Sequence, residues 1–291
     1  MGFRLSPLPA LLLVVAIAVS VIRSSEATNI TITNDCKETI WPGIIANNNN
    51  DSGDGFSLKP GQSTIFNPPS GWGGRIWART GCDFDKYGSG KCQTGGCGTS
   101  LKCSGPGDPP FSIAEFSLGG DIDYYDVSLV DGFNLPIVIT PVKGKGNCSA
   151  AGCDSDLTTN CPPELAKKDD GKVVACQSAC NVFNSDEYCC RGEHSQPNSC
   201  LPSNYSRVFK QACPVAYSYA RDDPTSVVTC SSTDYVVGFC SSRNNTKQCT
   251  YHNKQLVCSG SEGLKAVLQG AWWMLMLAMV LPIITIPPIK S

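Results

Sequence analysis

The stretch Asp126-Val-Ser-Leu-Val-Asp-Gly-Phe-Asn-Leu-Pro-Ile-Val-Ile139 decides the class of fold. Asp126–Val130 and Phe133–Ile139 both alternate in polarity, and between them stands Asp131-Gly132. Asp-Gly between two alternating runs predicts a hairpin, because glycine and aspartate supply the positive φ angles that a tight reversal needs. Working outward, Arg75-Ile-Trp-Ala-Arg-Thr80 alternates as well, placing Ile76 and Ala78 on one face and Arg75, Trp77 and Arg79 on the other. Ile30 and Ile32 alternate with Thr31 and Thr33. No repeat is present and no helix-length segment separates the runs, so the first half reads as a mainly β sandwich. The helical spacing of Val173, Cys176 and Cys180 predicts a helix over 172–184.

The chain has 291 residues, of which 18 are cysteines, all between Cys36 and Cys258. An even count at this density predicts a disulfide framework in an oxidising compartment. Two histidines, His194 and His252, and no paired CxxC blocks leave no zinc site and no Ser/His/Asp arrangement, so neither metal nor cofactor is expected. Gly71-Trp-Gly-Gly74 precedes a strand where a phosphate-binding loop would precede a helix. Net charge is −2 overall, and −4 between residues 28 and 259, which argues against nucleic acid as a partner. The cysteines from Cys148 to Cys213 crowd into a stretch with little apolar mass, predicting a disulfide-stapled subdomain with short helices.

Both ends read as addresses. Residues 1–27 carry Arg4, the apolar run Leu11–Ile22 and small residues at Ser25 and Ala27, the pattern of a secretory signal. Ser259-Gly-Ser261, a spacer over Glu262–Gly270 and the apolar stretch Ala271–Ile289 match a glycosylphosphatidylinositol signal with Ser259 as attachment site. Pro282, Pro287 and Pro288 weigh against a spanning helix there. Asn29, Asn147, Asn204 and Asn244 open N-glycosylation sequons. The expected layout is a signal over 1–27, a folded domain over 28–240, a linker over 241–259 and a removed tail over 260–291. Within the domain, a sandwich from about 28–147 and 214–240 encloses a stapled unit at about 148–213.

Arg75–Cys82, Pro109-Pro-Phe-Ser-Ile-Ala-Glu-Phe116, Tyr125–Pro136, Asp186-Glu-Tyr-Cys-Cys190, Asn204-Tyr-Ser-Arg207 and Ala216-Tyr-Ser-Tyr219 together resemble the thaumatin-like family of plant defence proteins. The resemblance runs from about Asn29 to Cys240, and departs at Gly96, where the family normally carries aspartate. It implies eight bridges: Cys36–Cys240, Cys82–Cys92, Cys97–Cys103, Cys148–Cys230, Cys153–Cys213, Cys161–Cys176, Cys180–Cys189 and Cys190–Cys200. Cys249 and Cys258 fall outside that set; they close a local ninth bridge in our reading, with pairing to another chain as the alternative.

The resemblance also implies an acidic cleft between sandwich and stapled unit, lined by Arg75, Glu115, Asp126, Asp131 and Asp222, with the adjacent Asp223 the other candidate for the last place. Such a cleft is expected to bind β-1,3-glucan or a related wall polysaccharide, as part of a monomeric antifungal or callose-associated protein at the cell surface or in the apoplast. Tyr124, Tyr125 and Phe133 are the aromatic residues nearest in sequence. Two alternatives stand beside binding: an endo-β-1,3-glucanase with Glu115 as general acid and Asp126 as its partner, and a protein-interaction role such as inhibition of a pathogen hydrolase. Carboxylates crowded around one arginine should raise at least one pKa, as glycoside hydrolysis requires.

Overall fold

The computed structural model describes residues 28–48, 53–231 and 233–243, together with the backbone of Cys249–His252 and Gln255–Cys258. The signal segment, the sequon at Asn244, the attachment site Ser259 and the apolar tail lie outside the described residues. In chain order the strands are β1 (Ile30–Asn34), β2 (Trp41–Ala46), β3 (Asp54–Gly55), β4 (Ser63–Phe66), β5 (Gly73–Arg79), β6 (Asp83–Phe84), β7 (Gly90–Lys91), β8 (Ile113–Ser117), β9 (Asp123–Ser128), β10 (Ile137–Val142), β11 (Ala151–Cys153), β12 (Ala166–Asp169), β13 (Lys172–Cys176), β14 (Val228–Cys230) and β15 (Asp234–Phe239). Short helices α1 (Ala179–Phe183), α2 (Asp186–Cys189) and α3 (Asn204–Ala212) occupy the cysteine-rich stretch.

Two sheets make the sandwich. One has the order β14-β9-β8-β5-β2-β3 and the other β11-β10-β15-β1-β4. Every pairing in them is antiparallel except that of β1 with β15, which is parallel. Alternation sends Ile44, Ile76, Ala114 and Val127 inward from the first sheet, and Ile30, Ile32, Ile137, Ile139 and Val237 inward from the second. Tyr235 of one sheet meets Phe116 and Tyr125 of the other edge-on, with ring centroids 5.4 and 5.0 Å apart. Buried tyrosines need partners for their hydroxyls. Tyr235 donates to Asp123 Oδ2 at 3.0 Å, and Tyr125 to the Ser149 carbonyl at 2.6 Å.

The mainly β sandwich stands, but the hairpin that suggested it does not. β9 pairs with β8 and β14, whereas β10 pairs with β15 and β11, so the runs flanking Asp131-Gly132 belong to different sheets. The reversal itself forms: Gly132, at φ 98°, donates its N–H to the Leu129 carbonyl at 2.9 Å. The arm beyond the turn is captured elsewhere, since Phe133 exchanges two backbone hydrogen bonds with Cys176, at 2.7 and 2.8 Å. Asp-Gly supplies the turn; burial of Leu129 and Phe133 decides which strands the two arms join.

The expected helix over 172–184 is corrected too. Its first half is β13, joined to β12 by the true two-residue hairpin of this region, Asp170-Gly171, at φ 46° and 75°. Adjacent Val173 and Val174 favour a strand, and Ser178 then caps α1 by accepting from the Asn181 N–H at 3.2 Å. The nine-residue α3, capped by Ser203, is the longest described helix and buries Phe209. Nor does the stapled stretch stand alone. Leu157, Leu165 and Phe209 join the sandwich core, and β11 is an edge strand of the five-stranded sheet.

All eight pairs implied by the resemblance are bonded. Beyond them, the backbone of β16 (Cys249–His252) pairs with β17 (Gln255–Cys258) in a register that sets Cys249 opposite Cys258; the side chains there lie outside the described residues.

Candidate binding cleft

Three strands place the site. Arg75 on β5 stands directly opposite Glu115 on β8, which stands opposite Asp126 on β9. Direct antiparallel partners share a face, so the three side chains form one row across the outer face of the six-stranded sheet, with neighbouring Cβ atoms ~4.5–5.5 Å apart. That face is closed at its other end. Trp77, two residues along β5, packs with Phe111, Ile113 and the Cys97–Cys103 bridge into a second, smaller core. Arg79 is wholly buried there, with Nε on the Trp41 carbonyl at 2.9 Å and Nη2 on the Leu101 carbonyl at 2.8 Å. Burial lowers its pKa to about 10, so it stays charged near neutrality. Only the Arg75 end of the face opens to solvent.

Arg75 organises that end. Its Nη2 lies 3.4 Å from Glu115 Oε1 and its Nη1 3.9 Å from Asp131 Oδ2. Asp131 reaches the row from the turn after β9, which is how two aspartates of opposite parity share one cleft. Asp126 has no such partner: its Oδ1 is buried without a hydrogen bond. Desolvation, then the Glu115 charge, then the Asp223 charge push its carboxyl up to about 7. Burial also raises Glu115, against the pull of Arg75, with Asp131 adding to the rise, and it raises Asp131, again against Arg75. Arg75 favours the ionised form of Glu115, whereas no cation offsets the burial of Asp126.

The far wall comes from the segment after α3. Tyr217 bridges to Ser128 beside β9, its N–H on the Val127 carbonyl at 2.8 Å, and its hydroxyl donates to Asp223 Oδ1 at 3.1 Å. Asp222 is not the cleft residue. Its Oδ2 accepts from the Ser218 N–H at 3.0 Å and hydroxyl at 2.9 Å and lies 2.9 Å from Lys210 Nζ. Those bonds hold it inside the loop, whereas its neighbour Asp223 is exposed and acts on Asp126. Sequence reasoning named Asp222, with Asp223 as the other candidate, and missed Tyr217 and Lys210. Of the three aromatic candidates, Tyr125 and Phe133 are core, while Tyr124 is 51% exposed on the same face of β9 as Asp126.

A model of the thaumatin family matches residues 34–241. The chain belongs to the thaumatin family. The pathogenesis-related thaumatin-like protein 3.5 of Cryptomeria japonica is 52% identical over 219 residues, covering 74% of this chain and 91% of that protein. A glucan endo-1,3-beta-glucosidase of Prunus avium is 44% identical over 224 residues, covering 74% and 91%. The crystal structure of a laminaripentaose-producing β-1,3-glucanase in complex with laminaritetraose aligns at a TM-score of 0.50 and 12% identity, covering 73% of this chain and 98% of that one, a likeness of fold.

Within this thaumatin-family chain the three described sequon asparagines differ. Asn147 and Asn204 are exposed, while Asn29 donates its side-chain amide to Asp234 Oδ1 at 3.1 Å. At the departure point, a Cβ built on Gly96 would meet only Asp108 Oδ2, at 3.8 Å. An aspartate there would set two carboxylates together, and the fold itself does not demand glycine. Among the described residues no cluster of His, Cys, Asp and Glu could hold a metal ion, and no helix is long and apolar enough to cross a membrane.

Proposed function

We propose that this is an exported, glycosylated defence protein, held at the cell surface by a lipid anchor at Ser259, whose acidic cleft binds β-1,3-glucan of fungal walls or callose. One observation carries the reading of the cleft. The Arg75–Glu115–Asp126 row is polar and partly open on a face that is packed at its other end, with the Glu115 and Asp131 side chains about a third exposed. Neutral sugar hydroxyls can donate to those two carboxylates, whereas an anionic ligand would meet the net negative charge of Glu115, Asp131 and Asp223.

Hydrolysis is the second reading, favoured by the contrast between Arg75-paired Glu115 and proton-holding Asp126. In that case Asp126 protonates the leaving oxygen, the reverse of the roles expected from the sequence, and Glu115 attacks the sugar or activates water, according to whether the two carboxyls stand ~5–5.5 Å or ~6.5–9.5 Å apart.

The test is release of reducing ends from soluble β-1,3-glucan, alongside a direct binding measurement, by wild type, Glu115→Gln and Asp126→Asn. Binding without release by wild type supports recognition and removes the hydrolase reading. Release that both variants lose makes the cleft catalytic. Neither binding nor release would overturn the glucan reading. Export and anchoring are checked separately, since a phosphatidylinositol-specific phospholipase should free the protein from intact cells, and a Ser259 block substitution should abolish that release.

A further inference from the structure

A shallow hollow with a cavity volume of about 50 Å³ opens to solvent on the stapled side, between α1, α2, the start of α3 and the segment Ser218–Ala220. A seat of that size takes one edge of a ring and leaves the rest of the ligand outside. Tyrosine rings and hydroxyls line it, among them Tyr188, Tyr205, Tyr219 and Ser178, and no Lys, Arg, Asp or Glu does. The rings of Phe183, Tyr188 and Tyr205 brace one another, with centroids 5.3 to 5.8 Å apart, and the Cys180–Cys189 bridge ties α1 to α2. The wall is thus rigid before any ligand arrives, which lowers the entropic cost of binding. Neither the Tyr188 nor the Tyr219 hydroxyl makes a hydrogen bond among the described residues, so both remain available.

Rings beside unspent hydroxyls, without a charge, suit a neutral polyhydroxylated ring. A charged ligand would find no counter-ion. The hollow also adjoins the acidic row through shared walls. Val130 lines it and is followed by Asp131, whose carbonyl accepts from Asn181 Nδ2 of α1 at 3.2 Å. Ser218 lines it and binds Asp222, next to Asp223 of the cleft.

We propose that this hollow is a sugar subsite adjoining the acidic cleft, seating the hydroxyl-bearing edge of one neutral pyranose ring of a glucan whose other units lie over Arg75, Glu115 and Asp126. The inference rests on the glucan reading of the cleft and adds that recognition extends onto the stapled unit.

Calorimetry of the full exported protein with a trimer and a hexamer of β-1,3-linked glucose tests it. The hexamer should bind the wild type about tenfold more tightly than the trimer. Ala220→Trp, an exposed position at the rim, should erase that gain and leave trimer binding unchanged. Tyr188→Phe keeps the ring packing and should weaken the hexamer alone. If the hexamer keeps its advantage in Ala220→Trp, the subsite is overturned while cleft binding stands. If neither oligomer binds the wild type, the glucan reading fails and the subsite falls with it.

Discussion

Asp126 keeps a carboxyl oxygen buried without a hydrogen-bond partner, and its pKa is pushed up to about 7 from an ordinary value near 3.8. Linkage gives the sign. A raised folded-state pKa means that the native protein holds a proton the unfolded chain has released, so this contribution is full below pH ~4 and is lost as pH rises through 7. Asparagine mimics the protonated form. Thermal melts should therefore show Asp126→Asn and wild type nearly equal at pH 4, with the variant the more stable of the two at pH 8. A constant difference at all pH values would place the ionisation elsewhere. Lys210 presents the opposite case. It pairs with Asp222, a residue only 9% exposed, so Lys210→Met strands a buried carboxylate that retains its Ser218 bonds. The expected loss is about 2 kcal/mol in denaturant unfolding. That pair also explains why the residue numbers of the cleft were only partly readable. Asp222 and Asp223 are chemically alike in the sequence, and only the positions of Ser218, Lys210 and Tyr217 tell them apart.

Two Asp-Gly pairs behave differently at the level of elements. Asp170-Gly171 closes β12 on β13, whereas Asp131-Gly132 passes the chain between sheets. Local chemistry specifies a reversal in both. Long-range burial selects the partner strand, and the pattern around a turn carries no record of the distant segment that will bind its arm, as Cys176 binds Phe133. Alternation was the durable signal: Ile76 and Ala78 do face the core, and Arg75 does face the cleft. The helix expected over 172–184 failed because cysteines spaced three and four apart mimic an apolar stripe while serving bridges to different elements. A Cβ at Gly171 meets nothing within 4 Å, so Gly171→Ala isolates the backbone cost of a left-handed residue, about 1–2 kcal/mol. Gly105 has the same open surroundings without positive φ, and its alanine variant should be near neutral in the same chemical denaturation series.

For the whole molecule, the covalent frame is unevenly distributed. Cys36–Cys240 spans 204 residues and joins the ends of the domain, while Cys180–Cys189 spans nine. On the chain-entropy account the long link contributes about 4–5 kcal/mol even with other bridges shortening its loop, against about 3 for the short one. Replacing each pair by alanines should preserve that order in thermal stability.

The parallel seam between β1 and β15 carries a further consequence, for synthesis. β15 is the central strand of its sheet, between β10 and β1, yet it is the last strand of the domain to be made. While the nascent chain is still emerging, that sheet has a missing middle, with the flank of β1 bare and Cys36 a lone thiol. Nearby cysteines such as Cys82 and Cys92 have no such wait. The sheet therefore completes itself only once β15 and Cys240 have emerged, and a chain halted before residue 234 should stay bound to lumenal chaperones with its first cysteine reduced.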